Sequence, residues 1–178
     1  MTATDVIAGV PSNSVNRLRI GERGKGCDGW VHLDSHPSAD IVAAVPPLPS
    51  AVLNRKWQVV EAIHVWEHFY KWEAEQLAKS VYAILNAGGM LIVECPNLEV
   101  ACRSFLGQYK DSNQYHMHVF YGDPGGRDPS YGHRWGYTPA SLKQQLVEHG
   151  GFRSRDVLLE TARHHVPDRD FRLVAVKR

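Results

Sequence analysis

The sequence predicts an open, mostly parallel α/β sheet, because short apolar segments alternate with amphipathic ones and most apolar segments end in glycine or polar residues. Ligands bind such sheets at the carboxyl ends of the strands, so the loops there are the predicted site. Seven segments have the composition of strands: "NRLRIG", "WVHLD", "ADIVAAV", "WQVVEAI", "MLIVEC", "SRDVLLE" and "DFRLVAVKR".

Three helices are expected between these strands. The first follows "WQVVEAI", has apolar residues at helical spacing, and is predicted to stop at Gly88 and Gly89. The second is expected from Leu98 to Leu106. The third is "TPASLKQQLVEHGG", in which threonine is the N-cap and proline takes the first helical position.

The chain of 178 residues is predicted to form one domain over 15–178, after a loosely held lead-in at 1–14. Residues 107–137 are polar, aromatic and rich in glycine, so we expect a long loop, an insertion or a lid. The nine-residue loop "GERGKGCDG" joins the first two predicted strands and is too short for an ordinary crossover helix. A thinly covered sheet face would follow, and we expect either a homodimer or the lead-in to cover it.

Composition excludes several classes of function. There are 20 basic and 19 acidic residues, so no bulk attraction to nucleic acid or to acidic membranes is expected. Three cysteines without a C-x-x-C pair indicate a reducing compartment, not a disulfide framework. Neither a signal peptide nor a membrane span is predicted, and we expect a cytoplasmic protein.

The string "HVWEH" at 64–68 matches the inverted zinc-protease pattern H-x-x-E-H. In that pattern both histidines lie inside one helix, whereas His64 directly follows a predicted strand. A third ligand is also required, and Glu94 and Glu99 are poorly placed for it. We therefore predict no metal site and keep a zinc hydrolase as a remote alternative. The plainer interpretation is that His68 is a surface or capping histidine.

Six motifs in order resemble the class I, Rossmann-like methyltransferases that use S-adenosylmethionine, specifically a small subgroup with compact glycine loops. The resemblance runs from about Leu18 to the C-terminus. It implies a mostly parallel Rossmann-like sheet with an antiparallel final strand, shortened early crossover helices and an insertion after the fifth strand. The motifs are "RLRIGERGKGCDGWVHLD", "PPLP", "IHVWEHF", "LNAGGMLIVECPNLE", "HRWGYTPASL" and the later "GF".

The resemblance implies that S-adenosylmethionine is the cofactor. The glycine loop would let the backbone approach the methionine part, Asp34 would accept hydrogen bonds from the ribose, and Leu48 would pack on the adenine. His64, at the end of the fourth strand, would flank the transferred methyl group. The implied cofactor-binding residues are Gly21, Glu22, Arg23, Gly24, Asp34, Ser35, Leu48 and His64. For Asp34, a role as a turn or cap residue is the alternative.

The acceptor is expected to be a small molecule or a sugar. His133 is the favoured acceptor-side catalytic residue, beside His64, because the late motif of the family begins with a histidine. For His133 the alternative is a loop residue with satisfied hydrogen bonds. The family's glycine loop usually reads "G-C-G", whereas this chain has "GERG". A protein that kept the fold as a binding or scaffold module, without transfer activity, is therefore the second hypothesis.

Overall fold

The computed structural model describes residues 16–22, 29–107, 115–123 and 128–178. The predicted lead-in at 1–14, together with Arg23 and Gly24, lies outside the described residues.

One sheet of seven strands forms the centre of the molecule, in the order β3-β2-β1-β4-β5-β7-β6. The pairs from β3 through to β5 are parallel, and β7 runs antiparallel to both of its neighbours. The predicted mostly parallel sheet with an antiparallel final strand is confirmed. The strands are β1 (Arg17–Ile20), β2 (Val31–Asp34), β3 (Ile41–Val42), β4 (Trp57–Ile63), β5 (Leu85–Pro96), β6 (Val157–Thr161) and β7 (Asp170–Val176).

Five α-helices and three 3₁₀ turns accompany the sheet in the described part of the chain. The 3₁₀ turns are Trp66–His68, Pro129–Tyr131 and Ser154–Asp156. None of the helices is long and apolar enough to cross a membrane, as far as the described residues go. The helices are α1 (Ser50–Leu53), α2 (Lys71–Ile84), α3 (Leu98–Phe105), α4 (Tyr115–Tyr121) and α5 (Pro139–Glu148).

Helix α2 ends earlier than predicted. Leu85 is already extended, with φ −68° and ψ 142°, and pairs with Trp57 as the first residue of β5. Burial of both side chains fixes the change of direction there, before the glycine pair. Gly88 and Gly89 therefore lie within β5, where the Gly88 amide donates to the Lys177 carbonyl.

The predicted insertion at 107–137 is partly helical, since it contains α4 and the 3₁₀ turn Pro129–Tyr131. Helix α5 begins as predicted: the Thr138 hydroxyl accepts a hydrogen bond from the Ser141 amide, and Pro139 follows the cap.

The hydrophobic core lies mainly between α2, α5 and the sheet. Helix α2 buries its apolar face there, and the indole rings of Trp57 and Trp66 are fully buried. At about 25 cal/mol per Å² of apolar surface, such burial is the main stabilisation of the sheet that carries the site.

Candidate functional site

The carboxyl ends of β1, β2 and β4 meet at one edge of the sheet, because these three strands are parallel neighbours. Gly21 follows β1, Asp34 ends β2 and His64 follows β4. The Gly21 amide donates to the Leu33 carbonyl at 2.8 Å, which ties the first two ends together. The sheet thus brings together the three loop positions that the sequence predicted.

Gly21 has φ +80°, in the left-handed region that side chains other than glycine rarely adopt. A Cβ atom at this position would lie 2.3 Å from Cγ2 of Val65. The close approach of two strand ends therefore requires glycine here. It also brings the backbone of the β1 loop against the turn that follows β4.

Asp34 holds the turn that follows β2. Its Oδ1 accepts a hydrogen bond of 2.7 Å from the His36 amide, and the Ser35 hydroxyl lies 3.5 Å away. This is the turn-forming role that the sequence left open. A carboxylate has a second oxygen, so the turn does not use all of its hydrogen-bonding capacity.

Two further predicted cofactor residues lie in different surroundings. Leu48 is 3% exposed and belongs to the hydrophobic core. Glu22 is exposed, and its carboxylate lies 3.8 Å from the guanidinium of Arg19. Arg19 is also held by Glu61 at 2.8 Å, in a pair that ties β1 to β4.

His64 occupies a left-handed backbone position, φ +52°, at the turn after β4. Its Nδ1 lies 3.2 Å from Glu67 Oε1, and its Nε2 lies 3.2 Å from Asp170 Oδ2. Burial disfavours the charged imidazole, but the contacts with Asp170 and Glu67 outweigh it and raise the pKa of His64 to about 9. At neutral pH His64 is a cation between two carboxylates, not a free general base.

Glu67 is 2% exposed and lies at the centre of this cluster. Burial alone would raise the pKa of its carboxyl group, but the contact with His64 holds that pKa below its ordinary value. The Cys95 thiol donates to Glu67 Oε2 at 3.6 Å, and burial raises the pKa of this thiol. Glu67 is thus a buried, ionised carboxylate beside imidazole rings and a thiol.

His133 reaches the same carboxylate from the predicted insertion. Its Nε2 lies 4.0 Å from Glu67 Oε1, and burial lowers the pKa of its ring. The ring of His68 lies against it, with the two centroids 5.0 Å apart. The structure therefore brings both predicted catalytic histidines, His64 and His133, to one buried glutamate.

The two carboxylates that contact His64, those of Glu67 and Asp170, were not among the site residues predicted from the sequence. Asp170 begins β7, about a hundred residues beyond His64, and no local pattern connects them. Glu67 entered the sequence analysis only as the glutamate of "HVWEH". The sequence signal for each is weak: Asp170 is an acidic residue before an apolar strand, and Glu67 is a glutamate inside "HVWEH". Only the sheet order shows that both lie beside His64.

Comparison with known proteins shows which class of proteins shares this fold. No family model matches the chain, and no curated protein is similar to it in sequence. Several solved methyltransferase structures match its fold with probability 1.00, and the described seven-stranded, mostly parallel sheet agrees with a class I, Rossmann-like methyltransferase fold. The chain has this methyltransferase fold.

Three of these structures show the extent of the likeness. The CcbJ methyltransferase from Streptomyces caelestis is 13% identical with a TM-score of 0.59, over 99% of this chain and 88% of that one. An S-adenosylmethionine-dependent methyltransferase from Clostridium acetobutylicum is 14% identical with a TM-score of 0.58, over 91% and 83%. The plantazolicin methyltransferase BpumL, in complex with SAH, is 13% identical with a TM-score of 0.55, over 92% and 76%.

Proposed function

We propose that this protein is a methyltransferase that transfers the methyl group of S-adenosylmethionine to a small-molecule or sugar acceptor. The observation that carries the proposal is the meeting of Gly21, Asp34 and His64 at one edge of a sheet with the class I methyltransferase order. Solved structures with this fold include S-adenosylmethionine-dependent enzymes and one complex with the product SAH.

The cofactor would lie across the carboxyl ends of β1 and β2. The positive φ of Gly21 turns the backbone sharply after β1, where the loop would approach the methionine part of the cofactor. Asp34 would accept the ribose hydroxyl groups on its second carboxylate oxygen, because Oδ1 already receives the His36 amide. The other proposed cofactor-binding residues are Glu22, Arg23, Gly24 and Ser35.

Leu48 would contribute to the adenine pocket from behind, since its side chain is part of the core. The adenine ring would then contact the outer side of the segment that contains Leu48.

His64 would position the methyl end without taking a proton. A cation beside a sulfonium is unfavourable, but Glu67 and Asp170 each lie 3.2 Å from the imidazole and offset its charge. His133 would approach from the acceptor side, because it comes from the 3₁₀ turn and loop that follow α4. Methyl transfer is an in-line displacement, so alignment of this kind is its main requirement.

Calorimetric titration of the metal-free protein with SAH tests the cofactor site. We expect micromolar binding that Asp34→Ala weakens at least tenfold, since the ribose hydroxyls would lose their acceptor. Glu148→Gln is the matched control, because it removes an exposed carboxylate at the end of α5, in a segment that leads away from this edge. Absence of SAH binding by a folded protein would instead favour the second hypothesis, a binding or scaffold module.

Two expectations from the sequence stay predictions. A homodimer is tested by sedimentation at high protein concentration, where a clean monomer would contradict it. A cytoplasmic location is tested by fractionation of the source cells.

A further inference from the structure

Three side chains with metal-binding atoms converge beside the strand ends: Glu67, His68 and His133. One ligand atom from each lies within 4.8 Å of the other two. We propose that these residues bind one divalent first-row transition metal ion, such as Mn²⁺, Co²⁺ or Zn²⁺. Two imidazoles and one carboxylate suit such an ion and leave coordination positions open.

One oxygen of the carboxylate has a charged neighbour but no directed hydrogen bond. Glu67 is 2% exposed, and among the described residues no donor is aligned to give its Oε1 a hydrogen bond. His64 Nδ1 lies 3.2 Å from this oxygen and His133 Nε2 lies 4.0 Å from it. The charge of His64 offsets part of the cost of burying this oxygen, and a coordinated cation would offset the part that the missing hydrogen bond leaves.

The two imidazoles are oriented as metal ligands usually are. His133 Nδ1 lies 2.9 Å from the Val119 carbonyl, and His68 Nδ1 lies 3.2 Å from the Gly132 carbonyl. A carbonyl oxygen only accepts, so in the neutral ring each Nδ1 carries the proton and the lone pair is on Nε2. A backbone carbonyl that fixes the tautomer in this way is the typical outer partner of a metal-binding histidine.

The backbone holds the two halves of the site together. The amides of Arg134 and Trp135 both donate to the Glu67 carbonyl, at 2.8 and 3.2 Å. The His133 amide donates to the Tyr121 carbonyl at 3.2 Å, which fixes the loop to α4. The ligands are therefore supplied by a 3₁₀ turn and a loop that backbone hydrogen bonds hold together. Binding would bring the ligand atoms from their present spacing, within 4.8 Å, to the roughly 3.3 Å between tetrahedral ligands.

The position of the ion would define the class of acceptor, an inference that rests on the proposed function. Next to His64, an open coordination position would take a hydroxyl group of the acceptor and lower its pKa. The hydroxyl proton would pass to solvent and the oxygen would attack the methyl carbon. One O–C bond forms as one S–C bond breaks, which leaves neutral SAH and a methyl ether.

The test is titration of the metal-free, full-length protein with Co²⁺, followed by its visible absorption. We expect one equivalent of Co²⁺ to bind, with the visible absorption typical of Co²⁺ that has four or five nitrogen and oxygen ligands. His68→Gln and His133→Gln should each weaken binding at least tenfold. His149→Gln is the control, because this exposed histidine lies at the end of α5 and should leave the affinity unchanged.

X-ray absorption of the wild-type Co²⁺ and Zn²⁺ complexes makes the test independent of how the variants fold. Two imidazole ligands and no sulfur are expected. Failure of the folded wild-type protein to bind Mn²⁺, Co²⁺ or Zn²⁺ at millimolar concentration would overturn the proposal, as would a thiolate ligand from Cys95 or equal affinity in folded His133→Gln. SAH binding measured on the same samples keeps the two proposals apart, because loss of the metal site alone would leave the cofactor site intact.

Discussion

His64 Nε2 lies 3.2 Å from Asp170 Oδ2, so the turn after β4 is fixed to the first residue of β7. Arg169 reinforces the contact, with Nε 2.6 Å from Asp170 Oδ1. One carboxylate thus holds two cations from separate segments at the edge where the candidate site lies.

Asp170→Asn should destabilise the fold. The amide keeps the shape of the side chain but leaves His64 and Arg169 without their shared charge, and hydrogen bonds to charged groups are worth about 1.5–3 kcal/mol. We expect a loss of about 2 kcal/mol in the free energy of unfolding, measured by urea denaturation. Asp168→Asn removes an exposed carboxylate nearby and should change stability little. Equal stability of the two variants would contradict the structural role of the His64 contact.

The buried pair of Glu94 and Arg172 should make stability depend on pH. Arg172 Nη1 lies 2.6 Å from Glu94 Oε1, and the amides of Arg163 and His164 also donate to this carboxylate. Burial opposes ionisation, but Arg172 and these amides hold the pKa of Glu94 below its ordinary value of 4.5. Because the folded pKa is the lower one, its stabilisation is present above that ordinary value and is lost as the pH falls through the folded pKa.

Glu94→Gln isolates this contribution. The variant should be less stable than the wild type near pH 7, because Arg172 loses its nearest carboxylate. The difference should shrink as the pH falls below the ordinary pKa of 4.5 and through the folded pKa. Urea denaturation at a series of pH values measures it. A difference that stays constant down to acid pH would show that Glu94 is not the titrating group.

Gly21→Ala should destabilise the protein through two separable effects. The left-handed φ of +80° costs about 1–2 kcal/mol for a residue with a Cβ atom, and that atom would lie 2.3 Å from Val65 Cγ2. Val65→Ala in the same chain should relieve the collision but not the backbone cost. Thermal unfolding of the two single variants and the double variant measures the coupling, and strict additivity would contradict the close approach.

Gln145 should matter far more than its neighbour Gln144. The indole N–H of the fully buried Trp66 donates to Gln145 Oε1 at 3.1 Å, and Gln145 Nε2 donates to the Lys71 carbonyl. Gln145→Leu should therefore cost about 1–3 kcal/mol, because it leaves a buried donor unpaired. Gln144→Leu, on the exposed side of α5, should stay within about 0.5 kcal/mol of the wild type. Equal urea midpoints for the two would contradict this hydrogen bond.

Local patterns were sufficient to predict most elements. Apolar runs predicted the central strands, and Thr138 followed by Pro139 predicted the start of α5. Each of these signals is contained within a few residues. The end of α2 was predicted wrongly, since the pairing of Leu85 with Trp57 decided it. Tertiary contacts of this kind override local glycine signals.

The site was predictable only in part for the same reason. The positions of Gly21, Asp34 and His64 follow from the ends of predicted strands, and the family resemblance ordered them. The contact of His64 with Asp170 spans most of the chain, and the approach of His133 to Glu67 depends on α4 and the loop beyond it. Neither has a periodicity or spacing that a sequence could display.

The most direct test of the central claim is to follow backbone amide resonances during a titration with SAH. The account predicts that the largest shifts fall on Gly21, Asp34 and Val65, at the ends of β1, β2 and β4, while the Glu148 amide at the end of α5 stays unchanged. Shifts confined to α5, or no shifts at a millimolar concentration of SAH, would contradict the assignment of this edge as a methyl-donor site.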